Sequence, residues 1–107
     1  QMLASQPGVE PVYHIFPALL PEGADRVQFI DALRGQGIQT SIHYPPIHTF
    51  SYYRERYPGL SLPRTEALAR REVTLPLYPT MSAGDLDAVT SAVRGALRGA
   101  LRSAAPE

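Results

Sequence analysis

The stretch GIQTSIHYPPIH, residues 37–48, sets two histidines and a tyrosine around a double proline, and it holds the side chains best placed to do chemistry. An imidazole can donate or accept a hydrogen bond and titrates near neutral pH, so His43 could serve a ligand as a polar group at a strand end. The residues alone leave two roles open for His43: a group projecting into a cleft, or a hydrogen-bonded structural histidine. His43 and His48 lie five residues apart with no carboxylate or thiolate ligand beside them in sequence, so no metal site is expected. His14, inside an apolar run, reads as structural. Tyr44, Tyr52, Tyr53 and Tyr57 cluster after this stretch and read as packing groups before ligand contacts. Arg94, Arg98 and Arg102 form an i, i+4 row that suits a solvated helix face. No nucleophile–base pair, glycine-rich phosphate loop or pair of carboxylates is visible in the spacing. All ten basic residues are arginine, so no ε-amine is present for Schiff-base chemistry, and the absence of cysteine removes a thiolate nucleophile.

The elements that must position these groups follow from pattern. Val12 to Leu20 (VYHIFPALL) is aromatic and apolar and predicts a first strand, which Pro17 confines to an edge or a bulge. Asp25 predicts the cap of a helix with Val27, Ile30 and Leu33 at helical spacing, Phe29 beside them, and Gly35 and Gly37 as its stop. Ile38, Thr40 and Ile42 alternate with Gln39, Ser41 and His43 to predict a second strand, broken at Pro45-Pro46. Phe50 to Tyr57 predicts a short helix or turn, Thr65 the cap of another over Glu66 to Arg71, and Val73 to Tyr78 (VTLPLY) a third strand with Pro76 inside it. Ser82-Ala83-Gly84-Asp85 resembles a capping box ahead of the longest helix, whose apolar stripe reads Leu86, Val89, Val93, Leu97 and Leu101. This order predicts an α+β domain, one layer of sheet with helices on one face.

At 107 residues the chain is expected to form one domain over residues 12–102, after an irregular lead-in at 1–11 and before a disordered tail at 103–107. Ten acidic and ten basic residues cancel, which offers no global field to attract nucleic acid or an anionic membrane. No basic apolar leader and no run of membrane-spanning length is present, so a cytoplasmic protein is expected. The start at a glutamine with an irregular lead-in suggests a piece of a longer polypeptide.

GIQTSIHYPPIH followed by SYYRERYPGLSLPRTEALARREVTLPLYPTMS resembles the C-terminal small domain of the DegT/DnrJ/StrS family of pyridoxal-phosphate-dependent sugar aminotransferases. The likeness runs over about residues 12 to 98. It is strongest at Gly37-Ile38 leading to His43-Tyr44-Pro45, Tyr52 to Pro58, Leu62-Pro63 with Thr65-Glu66, and Leu75 to Pro79 before Met81-Ser82. The resemblance implies the small domain of a fold type I enzyme, with a small antiparallel sheet of about three strands and helices packed on one face. It implies a homodimer in which a large domain, absent here, holds pyridoxal phosphate on its lysine while the small domain closes one side of the active site. The substrates implied are a nucleotide-linked keto-deoxysugar and an amino donor. The residues it turns toward substrate are His43, then Tyr44 and His48, and no cofactor-binding residue is implied in this chain. Without a lysine the isolated chain is expected to be inactive. A reading from another class is a free-standing binding module that kept the fold without the catalytic half.

Overall fold

A computed structural model describes residues 7–102. Residues 1–6 of the lead-in over 1–11, and the tail at 103–107, lie outside the described residues. The elements run β1 (Phe16–Leu19), α1 (Arg26–Arg34), a 3₁₀ turn (Ile47–Thr49), α2 (Ser51–Arg56), α3 (Pro63–Arg71), β2 (Glu72–Leu75) and α4 (Ala83–Arg102). The α+β architecture is the expected one.

The sheet is smaller than the sequence suggests. β1 and β2 pair antiparallel, with Phe16 opposite Leu75 and Leu19 opposite Glu72. The first strand begins at Phe16 and leaves Val12 and His14 outside it, and β2 stops at Leu75, one residue before Pro76, which cannot donate to a ladder. The strand expected over 38–43 is a single bridge, Ser41 to Thr74, with Ser41 N donating to Thr74 O at 3.1 Å and Thr74 N to Ser41 O at 2.8 Å. Three expected strands are therefore two strands and a bridge. Pro45-Pro46 lies too close to the bridge for the pairing to lengthen in that direction.

Side chains alternate across β2. Val73 enters the core with Leu75 partly buried beside it, and α1 and α4 complete that core through Phe29, Leu33, Ala92, Ala96 and Ala100. Val27, counted by spacing into the α1 stripe, is 68% exposed, and the buried pair is Phe29 and Leu33 at i, i+4. On α4 the buried stripe is Ala92, Ala96 and Ala100, with Val93 and Leu97 packed at its margin, while Leu86 and Leu101 are exposed. Small residues face α1 because α1 contributes the large ones, so the two backbones approach closely. Asp25 N donates to Ala100 O at 3.2 Å, which ties the start of α1 to the last turns of α4.

The helix ends follow the expected chemistry in three places of four. Asp25 caps α1 by accepting from Gln28 N at 3.0 Å. Gly37, at φ +76°, lets Ile38 N reach back to Leu33 O at 3.0 Å, a closure that favours glycine. Ser82 and Asp85 exchange both bonds of a capping box, Asp85 N to Ser82 Oγ at 3.1 Å and Ser82 N to Asp85 Oδ2 at 2.8 Å. The Ser82 backbone N–H is the main reason the Asp85 carboxyl titrates below its ordinary range. The fourth end differs: α3 starts at Pro63 and not after Thr65, because proline suits the first helical position and Glu66 turns back to cap Leu62 N.

Candidate functional site

Because Val73 points into the core, Glu72 and Thr74 share the opposite face of β2, and that face meets the segment carrying His43. Both are buried, each 7% exposed. The Glu72 carboxylate accepts from the His43 backbone N–H at Oε2, 3.0 Å, and from the Thr74 hydroxyl at Oε1, 2.6 Å. Thr74 Oγ1 in turn lies 2.8 Å from His43 Nδ1. Among the described residues Glu72 forms no ion pair, so its side-chain oxygens are held by these hydrogen bonds alone. Arg26 instead reaches backbone, donating to the Ala69 carbonyl and, at 3.4 Å, to that of Glu72.

His43 is half-buried on the wall of a cavity of about 640 Å³, shared with His14, Ser41, Tyr78 and Asp85. Tyr44 follows through a cis peptide bond. Its ring meets the imidazole edge-on at 4.8 Å, and the residue is 71% exposed. The structure thus brings His43 and Tyr44 together just after the Ser41 bridge.

His48 sits apart from them. Its ring is buried, and Nε2 donates to Glu66 Oε1 at 2.9 Å, the same oxygen that accepts from Leu62 N at 2.9 Å. One carboxylate therefore joins the 3₁₀ turn to the start of α3. The Leu62 N–H first, and His48 second, hold the Glu66 carboxyl below the usual glutamate range. A depressed folded value means that stability from this group is present above the unfolded value and is lost as pH falls through the folded one. Glu66→Gln is accordingly expected to melt below wild type at neutral pH and to converge with it as pH falls below the ordinary glutamate range and through the lowered folded value. Parallel melting curves at about pH 7 and about pH 3 check this, and a gap that stays constant with pH contradicts it.

Tyr52 and Tyr53 meet edge-on at 5.2 Å, and both, with Tyr57, are exposed on or just after α2. His14 is exposed outside β1, and Arg94 and Arg98 lie on the solvent face of α4. The side chain of Arg102 is outside the described residues. No group of three or more histidine or carboxylate side chains is arranged around a possible metal ion among the described residues. Glu72 and Thr74 were not anticipated by sequence reasoning, although their spacing of two in a strand next to a valine carried the signal that they share a face.

This geometry belongs to a fold with known relatives. The chain superposes on a putative sugar aminotransferase, Spr1654 from Streptococcus pneumoniae in its PMP form, with a TM-score of 0.84 at 24% identity, covering 94% of this chain and 26% of that one. The aminotransferase TlmJ from Streptoalloteichus hindustanus matches with a TM-score of 0.80 at 25% identity, over 92% of this chain and 26% of that one. PseC from Helicobacter pylori, an aminotransferase involved in the biosynthesis of pseudoaminic acid, matches with a TM-score of 0.75 at 19% identity, over 80% of this chain and 24% of that one. The chain spans about a quarter of the length of these proteins. The family model of the DegT/DnrJ/EryC1/StrS aminotransferases matches residues 1–94. With nearly its whole length matched, the chain belongs to the DegT/DnrJ/EryC1/StrS aminotransferase family.

Proposed function

We propose that this chain is the C-terminal small domain of a cytoplasmic, homodimeric, pyridoxal-phosphate-dependent aminotransferase that transfers an amino group to a nucleotide-linked keto-deoxysugar. The observation that carries the reading is the family match over residues 1–94. In this reading the small domain closes one side of the active site, and His43 with Tyr44 faces the sugar. His48 stands behind them and holds the turn that follows Pro45-Pro46 to α3 through Glu66. The exposed side chains of Tyr44, Ile47, Phe50 and Tyr52 are those that the rest of the enzyme or its second subunit covers.

Pyridoxal phosphate, when bound, supplies the electron sink for amino transfer. Its covalent tether is an amine, and a chain without lysine does not fit that task. No step is assigned to the cofactor within this chain. What the chain's own residues do is orient one ligand group at His43 and narrow the access of water on the small-domain side. The amine that holds the cofactor then lies in another part of the full-length enzyme.

Borohydride reduction of the full-length enzyme with pyridoxal phosphate, followed by peptide mapping, tests this. The expected result is one reduced adduct on a lysine outside residues 1–107. An adduct on a residue of this chain, or none anywhere, overturns the proposal.

A further inference from the structure

Glu72 is a buried carboxylate with no ion-pair partner among the described residues, and burying such a group is costly unless its oxygens are satisfied. Both of its oxygens are satisfied, one by the His43 backbone N–H and one by the hydroxyl of Thr74 on its own strand. A threonine hydroxyl has a single hydrogen. That hydrogen is committed to Glu72 Oε1 at 2.6 Å, so toward His43 Nδ1, at 2.8 Å, Thr74 can only accept. With Glu72 ionised, Nδ1 carries the proton. In the neutral ring Nε2 is then a bare lone pair, and it makes no hydrogen bond among the described residues.

We propose that Glu72 and Thr74 are positioning residues that lock His43 in the Nδ1–H tautomer, so that Nε2 accepts a hydrogen bond from a ligand hydroxyl. The inference rests on the reading of His43 as sugar-facing and deepens it by naming the group recognised. A neutral Nε2 acceptor matches a hydroxyl, which can donate, and mismatches a fully ionised phosphate or carboxylate, which can only accept. Glu72 also fixes the backbone at His43, so one carboxylate sets both where the ring starts and which nitrogen it offers.

The test uses the full-length enzyme labelled with ¹⁵N-histidine, with the His43 signals assigned by their loss in His43→Gln. Long-range ¹H–¹⁵N spectra are recorded at about pH 8.5, above the ordinary histidine range. The wild type is expected to show protonated Nδ1 and unprotonated Nε2. Thr74→Val, close in shape but lacking the hydroxyl, is expected to shift His43 toward the Nε2–H form and to slow the sugar half-reaction by about 3- to 10-fold, the scale of one neutral hydrogen bond. Thr74→Ser, which restores the hydroxyl, is expected to recover both the tautomer and the rate. An Nε2–H tautomer in the wild type overturns the proposal before any variant is made, so a variant that fails to fold does not shelter it. An unchanged tautomer in Thr74→Val, or an equal slowing of both half-reactions in that variant, also overturns it. The spectra need no substrate. A correct tautomer beside a His43→Ala enzyme without sugar-side bias therefore defeats the ligand contact and the reading beneath it, while leaving the Glu72–Thr74 lock on the ring established.

Discussion

Replacing Phe29 with alanine is expected to destabilise the domain by about 3–5 kcal/mol, the largest effect of any single substitution considered for its stability. Phe29 is 1% exposed and fills the space between α1, α4 and Val73 of β2. Its neighbours on α4 are Ala92, Ala96 and Ala100, whose single methyl groups cannot reach into the vacated volume. The cavity would therefore stay open, and the cost would lie toward the upper end of the range for large-to-small changes. In a domain of this size each kcal/mol corresponds to about 4–8 °C in Tm, so melting should fall by well over 10 °C. Urea unfolding at one temperature gives the free energy directly. Val27→Ala, on the same helix but at an exposed position, is the internal control and should change stability by less than about 0.5 kcal/mol. A Phe29→Ala loss no larger than that of the control would contradict the assignment of the core.

The contrast between Phe29 and Val27 also shows where sequence reasoning succeeds and where it stops. Local chemistry was legible. Asp25, Gly37 and the Ser82–Asp85 box act within a few residues of themselves, so their roles follow from the chain alone. Which face of a helix is buried depends on its partner. On α4 the stripe was read beside the buried one: Val93 and Leu97 pack at its margin but Leu86 and Leu101 are exposed, because the packing uses alanines wherever α1 brings bulk. The strand over 38–43 had the right alternation, yet pairing needs a partner of matching length, and β2 offers only Thr74 to it. At the site, His43 and Tyr44 stood out by type and by their place before the double proline. Glu72 and Thr74 did not, because they lie about thirty residues further along and meet His43 only through the bridge at Ser41.

His43→Ala in the full-length enzyme is expected to slow the half-reaction with the keto sugar while leaving the half-reaction with the amino donor close to wild type. The ring is held by Thr74 Oγ1 and stands on the wall of the 640 Å³ cavity, so in the proposed function its removal deletes one ligand contact, and it does not open the core formed by Phe29, Leu33 and Val73. A hydrogen bond to a neutral hydroxyl corresponds to about 0.5–1.5 kcal/mol, or roughly 2- to 12-fold in rate, whereas a bond to a charged phosphate would be about 1.5–3 kcal/mol. The lower range is expected if Nε2 is an acceptor. A role confined to holding the fold would show itself otherwise: the whole small domain would be misplaced, both half-reactions would fall by a similar factor, and Tm would drop with them. Single-turnover kinetics of the two half-reactions, measured on wild type and His43→Ala alongside a melting curve, distinguish these directly. The account predicts a sugar-side loss of several-fold at nearly unchanged Tm. Equal losses on both sides with a lowered Tm would contradict it and remove His43 from the site.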